Sequence, residues 1–263
     1  MPYRADAMEP LLIDERDGVV TLSLNRPERR NAIDARLVGD LRVAFESHAR
    51  ARVIVLRSAR TGMFCAGADL GMPDAERAEV SRELYALYGQ MVGLPAPVIA
   101  ALDGPAVGGG AQLAVACDLR VAGPDASVRF LGPGHGLAVG AWALPALVGR
   151  GRALDLCLTG RTVDRDEALR IGLVDRLADD ASAAAAELAA ALAALEPEAV
   201  GRVKAIAARA FAEGSVAALS LEAEGNARWH GRAPGLRRPG AGGAPGAGGA
   251  PGAGGAPASG EGR

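Results

Sequence analysis

Three consecutive glycines stand directly before an apolar segment in the stretch GPAVGGGAQLAVACD, at residues 104–118. Glycine lets the backbone adopt φ values closed to other residues and lets a ligand or another backbone segment approach closely. The N–H groups of a helix's first turn have no partner within the helix, and the helix dipole favours negative charge beside them. The stretch therefore predicts a strand-to-helix junction with Gly109 and Gly110 as a candidate anion site. Close packing of the helix explains the glycines equally well.

A second turn of small residues lies earlier in the chain, in FCAGADL at residues 64–70. It also follows a segment that is typical of a buried strand, so it offers a second backbone donor, the N–H of Ala68. Two converging N–H groups stabilise a carbonyl oxygen that acquires negative charge. The two turns together predict such an oxyanion site.

Segments typical of strands and helices alternate along the first part of the chain, which indicates an α/β layered fold. Strands are predicted at 19–24, 52–57, 98–102 and 118–122, and helices after Asp34, at 75–92 and from the glycine triplet onward. From Leu144 onward the pattern predicts helices only, with Asp164 as an N-cap. These later helices are expected within 178–195, 197–212 and 215–229.

Charge and cysteine content narrow the class of protein. The 263 residues include 29 basic and 31 acidic ones, a balance that favours neither nucleic acid nor an anionic membrane as a partner. The N-terminus has no signal-peptide core and no apolar run is long enough to span a bilayer, so a cytoplasmic protein is expected. Cys65, Cys117 and Cys157 form no CxxC pair and predict buried reduced thiols rather than a disulfide or metal site.

The last segment differs in composition from the rest, because PGAGGA occurs three times in tandem at 239–256. Such a tract has no side chains with which to build a core, and it is predicted to be disordered. We therefore expect three parts: an α/β core at 1–143, a helical region at 144–230 and a tail at 231–263.

Four stretches together resemble the crotonase superfamily, also called the enoyl-CoA hydratase/isomerase family. They are NRPERRNAI (25–33), FCAGADL (64–70), ALDGPAVGGGAQLAVACDLRVA (101–122) and LTGRTVDRDEALRIGLVDRL (158–177). The resemblance implies a spiral of ββα units with a helical C-terminal trimerisation region. A homotrimer or a dimer of trimers is therefore expected.

The same resemblance implies a coenzyme A thioester as substrate or ligand, with no other cofactor. Its carbonyl is expected between the N–H groups of Ala68 and Gly109. The resemblance also gives Asp69, the residue after Ala68, a mainly structural role, so it is expected to bond local backbone rather than to act in catalysis. Contacts with CoA are expected from Ala66 and Ala68 and, at the CoA phosphates, from the basic residues of the early segment. Those basic residues are Arg26, Arg29 and Arg30.

The chain departs from the hydratases of the family at both of their glutamates, which correspond to Gln112 and Gly132 here. An amide orients water but accepts no proton as a carboxylate base does, and glycine offers no side chain. His135 is the one histidine near the expected site and a candidate base, and Phe130 and Trp142 are candidates for an acyl pocket. These departures favour acyl-CoA binding or carriage without hydration.

Enzymatic alternatives remain open at this point. One is a decarboxylase, because loss of carbon dioxide to an enolate needs no base to remove a carbon-bound proton. Others are an isomerase or an atypical enoyl-CoA hydratase in fatty-acid or acyl-CoA metabolism.

Overall fold

The computed structural model describes residues 9–227, with the exception of the side chains of 209–218 and 221. Within that range the chain forms nine strands and eight α-helices. The strands are β1 Leu11–Arg16, β2 Val19–Leu24, β3 Val53–Ser58, β4 Val98–Leu102, β5 Ala106–Val107, β6 Leu119–Ala122, β7 Ser127–Arg129, β8 Thr162–Asp164 and β9 Arg176–Leu177. The helices are α1 Ala35–Ser47, α2 Asp74–Gly93, α3 Gly109–Ala116, α4 Leu144–Val148, α5 Arg150–Thr159, α6 Arg165–Ile171, α7 Ala181–Ala193 and α8 Pro197–Ala227.

The larger sheet has six strands in the order β1-β2-β3-β4-β6-β9. Strands β1 and β2 are antiparallel and joined by the two-residue turn Asp17-Gly18, whose residues both have positive φ. An Asp-Gly pair favours this kind of turn because it tolerates that backbone. All the other neighbours in the sheet are parallel, so helices carry the chain back between them.

The central strand β3 is buried on both faces of the sheet. Ile54 and Leu56 point into the main core, whereas Val53 and Val55 pack with α7 on the opposite face. Alternation of side chains along a strand produces this division, and a strand covered on both sides has a continuous apolar sequence. The predicted buried strand at 52–57 is therefore confirmed, one residue further along.

A smaller sheet of three strands, in the order β5-β7-β8, carries the glycine triplet. Strand β5 ends at Val107, and the N–H of Gly108 donates a hydrogen bond to the carbonyl of Arg129 at 2.8 Å. Helix α3 begins at the next residue, Gly109, so the sheet fixes where the first turn of this helix points.

The C-terminal half differs from its prediction in two ways. Helices alone were expected after Leu144, but β8 pairs with β7 and β9 pairs with β6. These strands have three and two residues, too few to show the alternation that marks a strand. The N-cap at Asp164 is confirmed, since its carboxylate accepts the N–H of Glu167 at 2.8 Å.

Helix α8 is the second difference, because it replaces two predicted helices, 197–212 and 215–229, with one continuous helix. The glycine between them, Gly214, costs a helix only about 1 kcal/mol, an amount that packing readily offsets. Lys204 anchors α8 to the core by donating to the carbonyl of Ala96 and to the carboxylate of Asp118, both at 2.7 Å. The predicted end of the domain near Trp229 and the tail at 231–263 lie outside the described residues.

Candidate functional site

The two glycine-rich turns line one cavity of about 120 Å³. It lies between the turn after Phe64, the start of α3, helix α2 and the segment after β7, and its walls are mainly apolar. It is lined by Ala66, Gly67, Ala68, Leu70, Arg77, Ser81, Leu84, Tyr85, Val107, Gly108, Gly109, Gln112, Leu131, His135, Leu137 and Val139.

The backbone nitrogens of Ala68 and Gly109 lie close together at this cavity. A Cβ atom built on Gly109 would stand 3.7 Å from the nitrogen of Ala68. Ile33 binds the backbone on both sides of Ala68, because its N–H donates to Gly67 and its carbonyl accepts from Asp69. Within residues 9–227 the N–H groups of Ala68 and Gly109 donate no hydrogen bond. The pair therefore consists of two unused donors at one cavity wall, and its role as an oxyanion site stays a prediction.

Each glycine of the triplet has a different structural role. Gly108 has a φ of +54° at the N-cap of α3, and Gly109 supplies the first N–H of the helix. A Cβ on Gly110 would lie 2.3 Å from the carbonyl oxygen of Cys65. Close helix packing therefore accounts for Gly110, whereas the anion site predicted at Gly109 stays a prediction.

Gln112 is buried at the end of the cavity, with 3 % of its surface exposed. Its side-chain oxygen accepts hydrogen bonds from the N–H of Gly140 at 3.0 Å and from the indole N–H of Trp142 at 3.1 Å. Its amide N–H group faces the Tyr85 hydroxyl at 3.5 Å. The amide thus joins α3 to residues 140–142, and its acceptor is already occupied by protein donors.

Gly132, the position of the second family glutamate, is sterically closed to larger residues. A Cβ there would lie 2.6 Å from the carbonyl oxygen of Leu137 and 3.0 Å from the nitrogen of Val139. Side chains essentially never approach backbone atoms so closely. This loop conformation therefore requires glycine and admits no carboxylate at that residue.

His135 lies in the short 3-10 turn Pro133–His135 and lines the cavity. Partial burial lowers its pKa below the ordinary value, and the positive charge of Arg77 lowers the pKa further. Its Nδ1 atom is buried and has no hydrogen-bond partner within the described part of the chain. At neutral pH the lowered pKa leaves the imidazole mostly uncharged, with a buried ring nitrogen that lacks a partner.

Phe130 and Trp142, the candidate acyl-pocket residues, do not line this cavity. Both are buried, and the Trp142 ring stacks on Tyr88 with ring centres 6.3 Å apart. Phe130 packs beneath Gly140, where an added Cβ would lie 2.5 Å from its ring. They support the walls from behind, whereas Leu84, Leu131, Leu137 and Val139 form the apolar surface itself.

The candidate CoA-binding residues fall into two groups. Ala66 and Ala68 line the cavity. Arg26 is largely buried and engaged, because its guanidinium pairs with Asp34 at 2.8 Å and with Asp69 at 3.4 Å. Arg29 and Arg30 are exposed, and the carbonyl of Arg30 accepts the N–H of Ala66 at 3.0 Å. Arg26 therefore supports the turn that contains Ala68, and Arg29 and Arg30 remain accessible to solvent.

Asp69 bonds local backbone, since its carboxylate accepts the N–H of Gly71 at 2.9 Å. This contact agrees with the structural role predicted for it.

A buried carboxylate behind Gln112 was missed by the sequence analysis. Glu222, on α8, accepts a hydrogen bond from the Tyr85 hydroxyl at 2.7 Å and from the N–H groups of Gly140 and Trp142 at 3.2 and 3.0 Å. Burial raises its pKa above the ordinary value. No signal in the sequence pairs it with the site, because 80 residues separate it from Trp142.

No helix between residues 9 and 227 is long and apolar enough to cross a membrane. Among the side chains that the structure describes, no three of the His, Cys, Asp and Glu types come together to hold a metal ion.

Comparison with known proteins identifies the family to which the chain belongs. The sequence pattern of the enoyl-CoA hydratase/isomerase family matches residues 14–228. A probable enoyl-CoA hydratase of Mycobacterium leprae, echA6, is 44 % identical over 187 residues, which are 67 % of this chain and 75 % of that protein. A putative enoyl-CoA hydratase/isomerase of Bacillus subtilis, YngF, is 38 % identical over 204 residues, which are 72 % of this chain and 78 % of that protein.

Solved structures agree with the sequence relatives. The crystal structure of an enoyl-CoA hydratase from Bacillus anthracis superposes with a TM-score of 0.74 at 30 % identity, covering 82 % of this chain and 90 % of the other. The crystal structure of a monofunctional enoyl-CoA isomerase from M. smegmatis superposes with a TM-score of 0.67 at 31 % identity, covering 84 % of this chain and 99 % of the other. The predicted crotonase-like α/β fold is confirmed. The chain belongs to the enoyl-CoA hydratase/isomerase family, within the crotonase superfamily.

Proposed function

We propose that this protein binds an acyl-CoA thioester, polarises its carbonyl between the N–H groups of Ala68 and Gly109, and does not hydrate it. The observation that carries the proposal is that these two donors are adjacent and unused at the wall of one cavity. Donors fixed in advance cost no reorganisation when negative charge develops on the oxygen. The relatives named as hydratases and isomerases support a CoA thioester as the ligand.

Gln112 and Gly132 support the second half of the proposal, which is that the protein does not hydrate its ligand. Gln112 replaces one family glutamate and its oxygen is occupied by Gly140 and Trp142. Gly132 replaces the other and has no room for a side chain. Each general acid or base contributes roughly 10²- to 10⁴-fold to such a reaction, so the absence of both leaves binding as the favoured activity. His135 is the remaining candidate acid or base at this wall.

The CoA part of the ligand is proposed to lie along residues 25–33, the segment that contains Arg26, Arg29 and Arg30. Arg29 and Arg30 are exposed, and Arg30 is attached to the cavity by the hydrogen bond between its carbonyl and Ala66. Guanidinium groups bind phosphates with charge-assisted hydrogen bonds. Arg26 belongs to the same segment, but its ion pairs with Asp34 and Asp69 favour a supporting role.

Assembly into a homotrimer or a dimer of trimers in the cytoplasm is proposed on the family resemblance. Large apolar side chains that are exposed on the C-terminal helices support it, since such groups often mark an interface between subunits. They are Leu154, Leu158, Leu169, Val203 and Ile206, and the exposed Leu195 lies between α7 and α8. Sedimentation equilibrium measures the mass of the assembly, and a monomer at micromolar concentration would contradict it.

The proposed function is tested by removing one donor while keeping the fold. Gly109 is the first residue of α3, a position that accepts proline because its N–H has no partner in the helix. Gly109→Pro therefore removes the donor, whereas Gly109→Ala adds a Cβ at the same place and keeps the N–H. Calorimetry with crotonyl-CoA is expected to show binding to wild type and Gly109→Ala, and binding about tenfold weaker or more in Gly109→Pro.

Mass spectrometry of the same samples tests the lack of hydration. Crotonyl-CoA is expected to be recovered unchanged. A folded Gly109→Pro protein with wild-type affinity would overturn the oxyanion site, and 3-hydroxybutyryl-CoA formed at an enzymatic rate would overturn the assignment as a binding protein. Circular dichroism and thermal unfolding establish that each variant is folded.

A further inference from the structure

The side-chain amide of Gln112 is fixed with its nitrogen on the side of the cavity. Its oxygen accepts hydrogen bonds from the N–H of Gly140 at 3.0 Å and from the indole N–H of Trp142 at 3.1 Å, and neither of these residues lines the cavity. The amide nitrogen faces the hydroxyl of Tyr85, a residue of the cavity wall. Two N–H donors at one atom identify that atom as the oxygen, so they determine which way the amide points.

The amide nitrogen of Gln112 carries two hydrogens, and the protein uses them poorly. Within the part of the chain that the structure describes, its one contact is with the Tyr85 hydroxyl at 3.5 Å, whereas N–H···O hydrogen bonds usually span about 2.7–3.2 Å. That hydroxyl also accepts a hydrogen bond from the amide of Asn226, at 2.9 Å. Gln112 is 3 % exposed, so a ligand oxygen at this nitrogen would remove the cost of an unpaired buried donor.

Gln112 lies about one helical turn beyond Gly109 on α3. Residues three apart share one face of a helix, and these two are separated by about 4.5 Å along its axis. A ligand held at both residues therefore needs two oxygens a few ångströms apart. The oxygens on C1 and C3 of an acyl group have such a spacing, because only C2 separates the two carbons. The cavity of about 120 Å³ has room for a short acyl group, since a cavity of about 150 Å³ holds benzene.

A neutral oxygen suits this place better than an anion. The carboxylate of Glu222 accepts the same Gly140 N–H that donates to Gln112, so it lies directly behind the amide. Burial already raises the pKa of Glu222, and a negative charge on a ligand nearby would raise that pKa further. The Arg77 guanidinium is paired with Asp74, so its charge is already compensated. A ketone oxygen accepts a hydrogen bond and adds no charge.

We propose that the amide N–H of Gln112 donates a hydrogen bond to a ketone oxygen at C3, so that the ligands of this cavity are short 3-oxoacyl-CoA thioesters. This inference rests on the proposed function, because it takes the thioester carbonyl to lie at Ala68 and Gly109. Glutamine in place of the family glutamate then has a consequence for the ligand. An ionised carboxylate only accepts hydrogen bonds, whereas the amide nitrogen only donates them.

The test compares three ligands of similar size that differ at C3. Butyryl-CoA has a methylene group there, acetoacetyl-CoA a ketone and malonyl-CoA a carboxylate. Calorimetry on the full chain at pH 6, where acetoacetyl-CoA is a neutral ketone, is expected to give it about fivefold or more the affinity of each of the other two. A smaller advantage over butyryl-CoA would overturn the hydrogen bond. Malonyl-CoA that binds as tightly as acetoacetyl-CoA, or more tightly, would overturn the choice of a neutral oxygen.

A double variant assigns the effect to Gln112. Gln112→Met/Trp142→Phe removes the amide together with the indole N–H that would otherwise lose its acceptor. It is expected to bind acetoacetyl-CoA and butyryl-CoA within about twofold of each other. Gln90→Met is the matched control, because Gln90 donates to a backbone carbonyl and does not line the cavity, and it is expected to keep the full preference. A preference that survives in the folded double variant would assign the ketone to another group and overturn the proposal.

Infrared spectra of acetoacetyl-CoA labelled with carbon-13 at C1 or at C3 report the two oxygens separately, because a carbonyl that accepts a hydrogen bond absorbs at lower frequency. The C3 band is expected at lower frequency in the wild type than in Gln112→Met/Trp142→Phe, and the C1 band is expected to change in Gly109→Pro. A C1 band that changes together with a C3 band that does not would overturn this inference and leave the proposed function intact. If none of the three ligands binds, the thioester site itself fails and both proposals are overturned.

Discussion

The side-chain oxygen of Gln112 lies 3.1 Å from the indole nitrogen of Trp142, which donates a hydrogen bond to it. The N–H of Gly140 also donates to this oxygen, and the same N–H reaches the carboxylate of Glu222 at 3.2 Å. Gln112 and Glu222 therefore share a donor. A neutral amide accepts these bonds without placing a second negative charge beside a buried carboxylate.

Gln112→Glu is expected to destabilise the protein at pH 8 and not to make it a hydratase. Two carboxylates that share one donor cannot both ionise without cost, so we expect a loss of about 1–3 kcal/mol in the free energy of unfolding at pH 8. The loss is expected to shrink at pH 5, where one carboxyl retains its proton. Urea unfolding at the two pH values measures it.

The double variant Gln112→Glu/Glu222→Gln is the control for this explanation. It restores a single buried carboxyl, so its loss is expected to be smaller than the sum of the two single losses. Additive losses would show that the two side chains do not repel each other. Hydration of crotonyl-CoA by Gln112→Glu would show that one carboxylate suffices.

Glu222→Gln is expected to change how stability depends on pH. Burial raises the folded-state pKa of Glu222 above 4.5, the ordinary value. The folded protein therefore binds this proton more tightly than the unfolded chain, and the associated stability is present below pH 4.5 and lost as pH rises through the folded pKa. The variant is expected to lack this downward slope, measured by urea unfolding between pH 4 and 8.

Glu224→Gln serves as the matched control for this slope, since Glu224 is exposed two residues further along α8. It is expected to keep the wild-type dependence. A Glu222→Gln protein with an unchanged slope would assign the pH dependence to other groups.

The two small-residue turns that contain Ala68 and Gly109 were predictable from the sequence because each depends on local backbone. A strand that ends in small residues, followed by a helix, gives the position of Gly109 from its neighbours alone. The polar contacts behind Gln112 were not predictable, since Tyr85 and Glu222 are 137 residues apart and meet only when α8 packs on α2. One continuous α8 in place of two helices is what brings Glu222 there.

Short and exposed strands could not be predicted from the sequence pattern either. Strand β1 buries one of its six residues and so shows no alternation. Strands β5 and β9 have two residues each and form because a neighbouring strand offers free backbone groups. Their pairing is a consequence of the fold, and the local sequence has no alternation of apolar and polar residues from which it could be predicted.

The three cysteines are expected to be unreactive in the folded protein. Burial raises the pKa of Cys65 and of Cys117 to about 12, and that of Cys157 to about 11. The thiolate is the reactive form, so at pH 8 almost none is present. A disulfide reagent such as DTNB is expected to detect no thiol in the native state and three in 6 M guanidinium. A thiol that reacts rapidly before unfolding would contradict the burial.

Gly67→Ala is expected to remove ligand binding as well as stability, and Gly62→Ala separates the two effects. Both glycines have positive φ, +87° and +91°, so alanine at either residue strains the backbone by about 1–3 kcal/mol. An added Cβ at Gly62 meets no atom within 4 Å, whereas at Gly67 it would lie 2.7 Å from the carbonyl oxygen of Val107.

That Cβ would also lie 3.1 Å from the nitrogen of Gly109, so relief of the clash displaces one of the two N–H groups that are proposed to bind the thioester carbonyl. Gly62→Ala is therefore expected to bind crotonyl-CoA as the wild type does, at reduced stability, and Gly67→Ala to bind it at least tenfold more weakly. Urea unfolding and calorimetry on both variants measure the two quantities separately. Equal loss of affinity in both would mean that backbone strain, and not the position of the Gly109 donor, controls binding.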